Sequence, residues 1–296
     1  MKKLIIIILF FLLSISSATA IGETDPQIDL NLQENEYGLS FLPLEKGEIA
    51  ILHLPEGINY LINTGPSENK KDLYSILKQF GANNIQGIIV TEKREYFPEF
   101  ITEIIKDFKV SKVYMGKSFL ETQGQNNINA IPLSEQDKVK LSNQLQLEVI
   151  YDGGNTGEGL DFKISFNKHL FLWLTSYTKP VQSHLLNQKL SDVNIVKVPI
   201  YNKSNFISEE LLKHIDPQTA ILYRSKQRML NSEFLELLQE TWIDVYLTGQ
   251  HGLITIKFNP LNYEVITFPN DDAIEEEPNQ YKEAYLLLQP NLLKNK

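Results

Sequence analysis

Apolar stretches of strand length alternate, in both halves of this chain, with stretches whose apolar residues recur at helical spacing. Buried strands and one-sided helices in alternation can bury their apolar faces in few ways, and the commonest is helices laid over sheets. In the first half, Glu48–Leu54 and Asn59–Asn63 read as a β-hairpin around Pro55-Glu56-Gly57. Leu73, Ile76, Leu77 and Phe80 mark a helix face, and Gly81 stands where a C-cap glycine belongs. Ile85–Thr91 is a buried-strand run. Phe100, Ile101, Ile104, Ile105 and Phe108 mark a second helix, followed by a short strand over Lys112–Met115. Residues 119–134 read as loop. Lys138–Leu141 and Leu145–Ile150 read as strands, and Asp161–Phe166 pairs with Leu170–Thr175 around Asn167-Lys168. The second half resumes the alternation with strand Ile195–Ile200, helix Glu209–His214, strand Ala220–Tyr223 and helix Ser232–Glu240. Strands Asp244–Leu247, Leu253–Phe258 and Tyr263–Phe268 close it. The expectation is an α/β fold: two mixed β-sheets covered by helices, a four-layer αββα sandwich.

The ends differ from this body. Lys2 and Lys3, the apolar run Leu4–Leu13 and the small-x-small triplet Ala18-Thr19-Ala20 have the form of a secretory signal over residues 1–20. The expectation is therefore an exported protein, periplasmic or extracellular. No second apolar run of that length follows, so no membrane span is expected in the mature chain. Residues 21–36 are polar and aperiodic, a flexible lead-in; 37–268 form the folded domain; 269–296 form an acidic, weakly helical tail. The chain has 296 residues and no cysteine, which excludes disulfides, cysteine nucleophiles and thiolate metal sites. Loss of Lys2 and Lys3 with the leader takes the formal charge from −9 to −11, which opposes general nucleic-acid binding.

The order of landmarks from Phe41 to Phe258 resembles the metallo-β-lactamase-like domain of the competence protein ComEC. Phe41-Leu42, Gly47-Glu48 and Ile51-Leu52 are similar to that family's opening strand, and Tyr60-Leu61-Ile62-Asn63-Thr64-Gly65 to its ILIDTG strand. Ile88–Thr91 resembles the strand leading into its zinc-binding loop, and Phe171–Thr175 the strand written FLFTGD. Lys197-Val198 through Ser208-Glu209-Glu210-Leu211 tracks its KVGHHGS…SEE stretch, and Tyr246–Ile256 its closing VYRTDQDGAITI. The resemblance implies a metallo-β-lactamase-like fold and a zinc-dependent nuclease ancestry linked to DNA uptake.

The same resemblance shows where the chemistry departs. Its histidine-rich THxHxDH loop falls on Thr91–Phe97, so the ligand positions are Glu92, Arg94, Tyr96 and Phe97. The acid of the second strand is Asn63, and the bridging aspartate falls at Tyr177. The paired histidines fall at Ile200 and Tyr201, and the late histidine near Met229. The five histidines, His53, His169, His184, His214 and His251, form no HxH, HxxH or HExxH spacing. The expectation is that no metal and no cofactor is held. Lys93, Arg94, Lys203, Arg224, Lys226 and Arg228 would rim the former metal cleft, as a small-anion site or as a solvated edge beside Glu92 and Glu95. Tyr177, Tyr201, Phe97 and Met229 would converge there too, as a partner-binding groove or as packing.

Other constellations favour bland readings. Gly116-Lys117-Ser118 lacks the upstream glycine of a P-loop, since position 111 is Ser111. Gly153–Gly159 reads as a loop, and Ser176 with His184 as chance rather than nucleophile and base. The expected function is a catalytically inactive, ComEC-like pseudoenzyme that binds or scaffolds, its partner an unidentified protein or small anion. Nucleic acid is implied only by the resemblance. The alternative is a metal-dependent hydrolase of nuclease or phosphodiesterase type with atypical ligands.

Overall fold

The computed structural model describes residues 27–123, 128–154, 158–199, 207–223 and 232–269. Sheet A is eight-stranded: β1 (Tyr37–Phe41), β2 (Ala50–His53), β3 (Ile58–Ile62), β4 (Asn84–Val90), β5 (Lys112–Gly116), β6 (Ala130–Leu133), β14 (Leu253–Phe258) and β15 (Tyr263–Phe268), in the order β15-β14-β1-β2-β3-β4-β5-β6. Sheet B is seven-stranded: β7 (Lys138–Lys140), β8 (Leu145–Tyr151), β9 (Asp161–Phe166), β10 (His169–Trp173), β11 (Ile195–Val198), β12 (Thr219–Leu222) and β13 (Asp244–Leu247), in the order β13-β12-β11-β10-β9-β8-β7. Both are mixed. Strands β3 to β6 run parallel in sheet A and β10 to β13 in sheet B, while the remaining neighbours are antiparallel.

The parallel halves need crossovers, and the helices supply them. Helices α1 (Lys70–Gln79), α2 (Pro98–Phe108) and α3 (Lys117–Gln123) join the parallel strands of sheet A. Helices α4 (Lys179–Leu185), α5 (Glu209–Ile215) and α6 (Ser232–Glu240) do so in sheet B, and the single turn α7 (Thr248–His251) leads into β14. Three apolar clusters separate the four layers. One lies between the sheets, with Phe41, Phe162, Phe166, Trp173 and Phe258 among its members; the rings of Phe166 and Phe258 stack at 3.9 Å. A second lies under α1 and α2 on sheet A, and a third under α4, α5 and α6 on sheet B. The αββα sandwich expected from the sequence is the observed architecture.

Particular elements follow from local chemistry. Gly81 ends α1 with φ +60°, the left-handed conformation that a side chain resists. Ser208 caps α5 by accepting from the Leu211 amide at 3.2 Å. The hairpin β2–β3 turns through Pro55-Glu56-Gly57 as read from the sequence, with Gly57 at φ +70°. Residues 119–134 depart from the loop reading: α3 covers Lys117–Gln123, and Ala130–Leu133 adds β6 to the parallel edge. That edge strand, Ala130-Ile131-Pro132-Leu133, is half exposed, too short to show a period, and carries a proline that argues against a strand. Residues 27–36 form no regular element but lie against the body, with the Ile28 amide on the Gln79 carbonyl and Lys257 paired to Glu36 at 3.1 Å.

Candidate functional site

The carboxyl ends of the parallel strands in both sheets meet at one end of the sandwich, the place where α/β folds most often bind ligands. A buried polar cluster fills it. Asn63, directly after β3, holds φ +60° and is tied on both sides of its amide. Its Nδ2 donates to the Glu48 carbonyl at 2.9 Å and to Thr91 Oγ1 at 3.0 Å, and its Oδ1 accepts from the Thr91 amide at 2.8 Å. The Thr91 carbonyl in turn accepts from the Leu160 amide at 2.6 Å, which draws the start of β9 onto the end of β4. Gly159 makes that approach feasible: a Cβ there would lie 2.5 Å from both Thr91 O and Thr175 Oγ1.

Two ion pairs lie within the cluster. Lys197 of β11, wholly buried, donates to the Glu48 carboxylate from the opposite sheet and to the Leu174 carbonyl at 3.0 Å. Its ammonium lies 4.9 Å from the Trp173 ring centroid and 6.0 Å from that of Tyr223. Arg94 forms a two-pronged pair with Glu92, Nε to Oε2 at 3.0 Å and Nη2 to Oε1 at 2.8 Å. Tyr223 adds a second polar link between the sheets, its hydroxyl donating to the Ile49 carbonyl.

Two further carboxyls are raised above the usual carboxylate range. Glu95 is pushed up to about 7, chiefly by burial and then by the charges of Glu48 and Glu92. Its Oε2 has no hydrogen-bond partner among the described residues, and neither does Trp173 Nε1. Asp161 is pushed up to about 6 by burial, against hydrogen bonds from Ser176 and Thr175 that favour the anion. Its Oδ1 accepts from the Thr175 amide at 2.6 Å, Thr175 Oγ1 at 2.9 Å and the Ser176 amide at 3.1 Å. The floor is thus two internally neutralised pairs plus two acids that titrate near neutrality.

Of the residues singled out from the sequence, Asn63, Glu92 and Arg94 stand in this cluster. Lys93 is exposed beside it. Tyr96 and Phe97 turn the other way and join the apolar cluster over sheet A, where the Tyr96 ring meets Phe119 edge-on at 5.3 Å. Both are half-buried against that cluster, so for Phe97 the reading of aromatics converging in the cleft gives way to packing. The backbone of Tyr177 is fixed by Glu158, which accepts from its amide at 2.7 Å, and by Gln182, which donates to its carbonyl at 2.7 Å. Ile200, Tyr201, Lys203, Arg224, Lys226, Arg228 and Met229 lie outside the described residues, as does the tail from Asn270. Glu48, Glu95 and Asp161 were not singled out as ligands or acids. One sign was available, a lysine in the middle of the buried strand Ile195-Val196-Lys197-Val198, which demands an anion from elsewhere in the fold.

The resemblance read from the sequence implies a zinc centre here, so the donor set matters. Glu92 is engaged by Arg94, Asn63 donates rather than offers a free lone pair, and Lys197 places an ammonium on Glu48. Among the described residues no group of three or more His, Asp or Glu side chains converges to hold a metal ion. Four of the five histidines have a hydrogen-bond partner on a ring nitrogen, and His169 Nε2 has none among the described residues. His53 bonds Ser40 and Asn59, His184 faces Glu135, His214 bonds the Gln188 carbonyl, His251 bonds the Leu247 backbone, and His169 stands against Tyr263. The described residues do not fit a catalytic zinc.

No family model matches this chain, and no curated protein matches it in sequence. Solved structures do. A candidate metal-dependent hydrolase from Parabacteroides distasonis aligns over 71% of this chain and 97% of its own, with TM-score 0.46 and 14% identity. A metallo-β-lactamase from Cronobacter sakazakii carrying a HARLDQ motif aligns over 53% and 76%, with TM-score 0.42 and 12% identity. Zinc-bound PqqB from Methylobacterium extorquens aligns over 68% and 84%, with TM-score 0.43 and 8% identity. These likenesses are of overall fold, at identities too low to carry any residue across. No helix among the described residues is long and apolar enough to cross a membrane.

Proposed function

We propose that this chain is an exported, ComEC-like member of the metallo-β-lactamase-like group that has exchanged metal chemistry for binding or scaffolding. The observation that supports this reading is the Glu92–Arg94 pair, which stands where the resemblance puts the first two histidine ligands of the family loop. A guanidinium bonded through both prongs to the adjacent carboxylate repels a cation and occupies a donor at once. The leader-like residues 1–20 support export, and the resemblance suggests a place in DNA uptake. The formal charge of −9 makes a protein or a small ligand a better partner than bare nucleic acid.

Metal content of the purified protein tests this. After incubation with zinc or manganese and dialysis, the expected content is below about a tenth of an equivalent. One or two retained equivalents would overturn the reading in favour of a metal-dependent hydrolase. Nuclease and phosphodiesterase assays would then identify the reaction.

A further inference from the structure

At the opposite end of the sandwich, where the parallel strands of sheet B begin, the turn from α6 into β13 breaks two folding preferences at one residue. Trp242 holds φ +58°, the left-handed conformation that bulky side chains resist. Other helices stop in the same conformation at Gly81, Lys109 and Asp216, and Trp242 is the only aromatic residue with positive φ among those described. Its side chain is also 94% exposed, so the strain is not repaid by burial. Residues held in disfavoured backbone conformations without a packing return concentrate at functional sites.

The surroundings are acidic. Glu240 and Asp244 flank Trp242 in sequence, and both are exposed. The neighbouring turn from α5 into β12 carries exposed Asp216, and the two turns are joined by the Asp244 amide on the Gln218 carbonyl at 3.0 Å. Tyr263 bonds Thr219 at 3.1 Å on the same end and brings with it the β14–β15 turn, whose Leu261 is 75% exposed. Lys213 is bonded to Glu209 and lies within reach of the Glu240 charge, and exposed Lys168 stands in the β9–β10 turn beside His169, which meets Tyr263, so Asp216 and Asp244 carry most of the negative field. The acidic segment Asp271–Glu277 of this same chain would meet like charge here. An exposed indole among carboxylates suits a cation that carries apolar surface with it: the indole face takes a guanidinium or ammonium, and the acids steer it in.

We infer that Trp242 is the anchor of a docking surface for a basic segment of a partner protein, with Asp216, Glu240 and Asp244 as its charged rim and Leu261 as a secondary apolar contact. The surface is independent of the cleft and of whether the cleft holds metal.

The test uses the purified protein and three probes: a labelled peptide alternating Arg and Leu, its Glu/Leu counterpart, and phosphatidylglycerol vesicles. The variant Trp242→Asn replaces the indole with a side chain that tolerates the left-handed conformation. The expected result is micromolar binding of the Arg/Leu peptide at low salt, weakened at least about tenfold in Trp242→Asn and severalfold in Asp244→Asn. The Tm of Trp242→Asn is expected to rise by roughly 2–4 °C as the strain is relieved. Gained stability with lost binding is a combination that a merely structural tryptophan would not give. Equal peptide binding by wild type and Trp242→Asn would overturn the inference. So would no peptide binding at all, tryptophan-dependent capture of vesicles, or tryptophan-dependent self-association in sedimentation without peptide binding.

Discussion

Lys197→Met removes one charge from the core and little else. Methionine keeps most of the apolar stem that lies among Trp173 and Tyr223, so the loss is the ammonium. That ammonium serves two acceptors, the Glu48 carboxylate and the Leu174 carbonyl at 3.0 Å, with no water contact at the lysine side chain. Stranding a buried carboxylate by deleting its partner costs about 3–5 kcal/mol, more than the net worth of the pair, because the remaining charge keeps its desolvation penalty. In a domain of this size that corresponds to a Tm lower by roughly 10 °C. The double variant Lys197→Met/Glu48→Gln removes the charge on both sides and should recover most of the loss, to within about 1–2 kcal/mol of wild type. Urea unfolding of the four proteins of this cycle at pH 8 measures all of this. A single variant costing less than about 1 kcal/mol, or a double variant no better than the single, would refute the view of this pair as a cross-sheet tie.

Other expectations concern protons and space. Both ring nitrogens of buried His53 are engaged, with Ser40 and Asn59, and burial pushes it down to about 4 from an ordinary 6.5. The native state therefore excludes this proton. Stability should be full above pH 6.5 and fall as pH drops toward 4, by up to roughly 3 kcal/mol, and His53→Gln should flatten that limb in urea titrations. Glu95 has the opposite sign: raised to about 7 from 4.5, its contribution is present below pH 4.5 and lost as pH rises through 7. Glu95→Gln should match wild type near pH 5 and exceed it at pH 8 by about 1–3 kcal/mol; equal stability at pH 8 would contradict the burial argument. Gly159→Ala should lower Tm more than Gly57→Ala. The first drives a Cβ to 2.5 Å from Thr91 O and Thr175 Oγ1, whereas the second meets open space and carries only the strain of φ +70°.

The fold was legible wherever burial left a period. Buried strands show apolar runs such as Ile88-Ile89-Val90 in β4 and Leu170–Trp173 in β10, and α1 and α2 carry one apolar stripe each, so both read directly. What failed to register was short. The seven residues of α3 and the four of α7 are too few to show a stripe, and flanking strands rather than propensity hold them. The cleft was half legible. Asn63 and Arg94 came from landmarks in chain order, which survive the loss of chemistry around them. Glu48 and Lys197 are 149 residues apart, and Asp161 acts through Thr175, two residues past the end of the neighbouring strand β10. Such partnerships are made by sheet pairing and leave no local spacing to find. Trp242 was missed for a related reason: nothing in composition distinguishes a left-handed, exposed indole from a core one.

The placement of β1 sets a schedule for folding. This strand lies between β2 and β14, and its Ser40 hydroxyl bonds Thr255, 215 residues later, at 2.8 Å. The hairpin to β2 can form as soon as those residues are made, but its other edge stays unpaired until the last strands exist. Closure of sheet A is therefore a late, long-loop event, the kind that slows folding and lengthens exposure of a bare edge. A chain truncated before Leu253 would leave that edge open for good, and aggregation along β1 is the fate to expect of it.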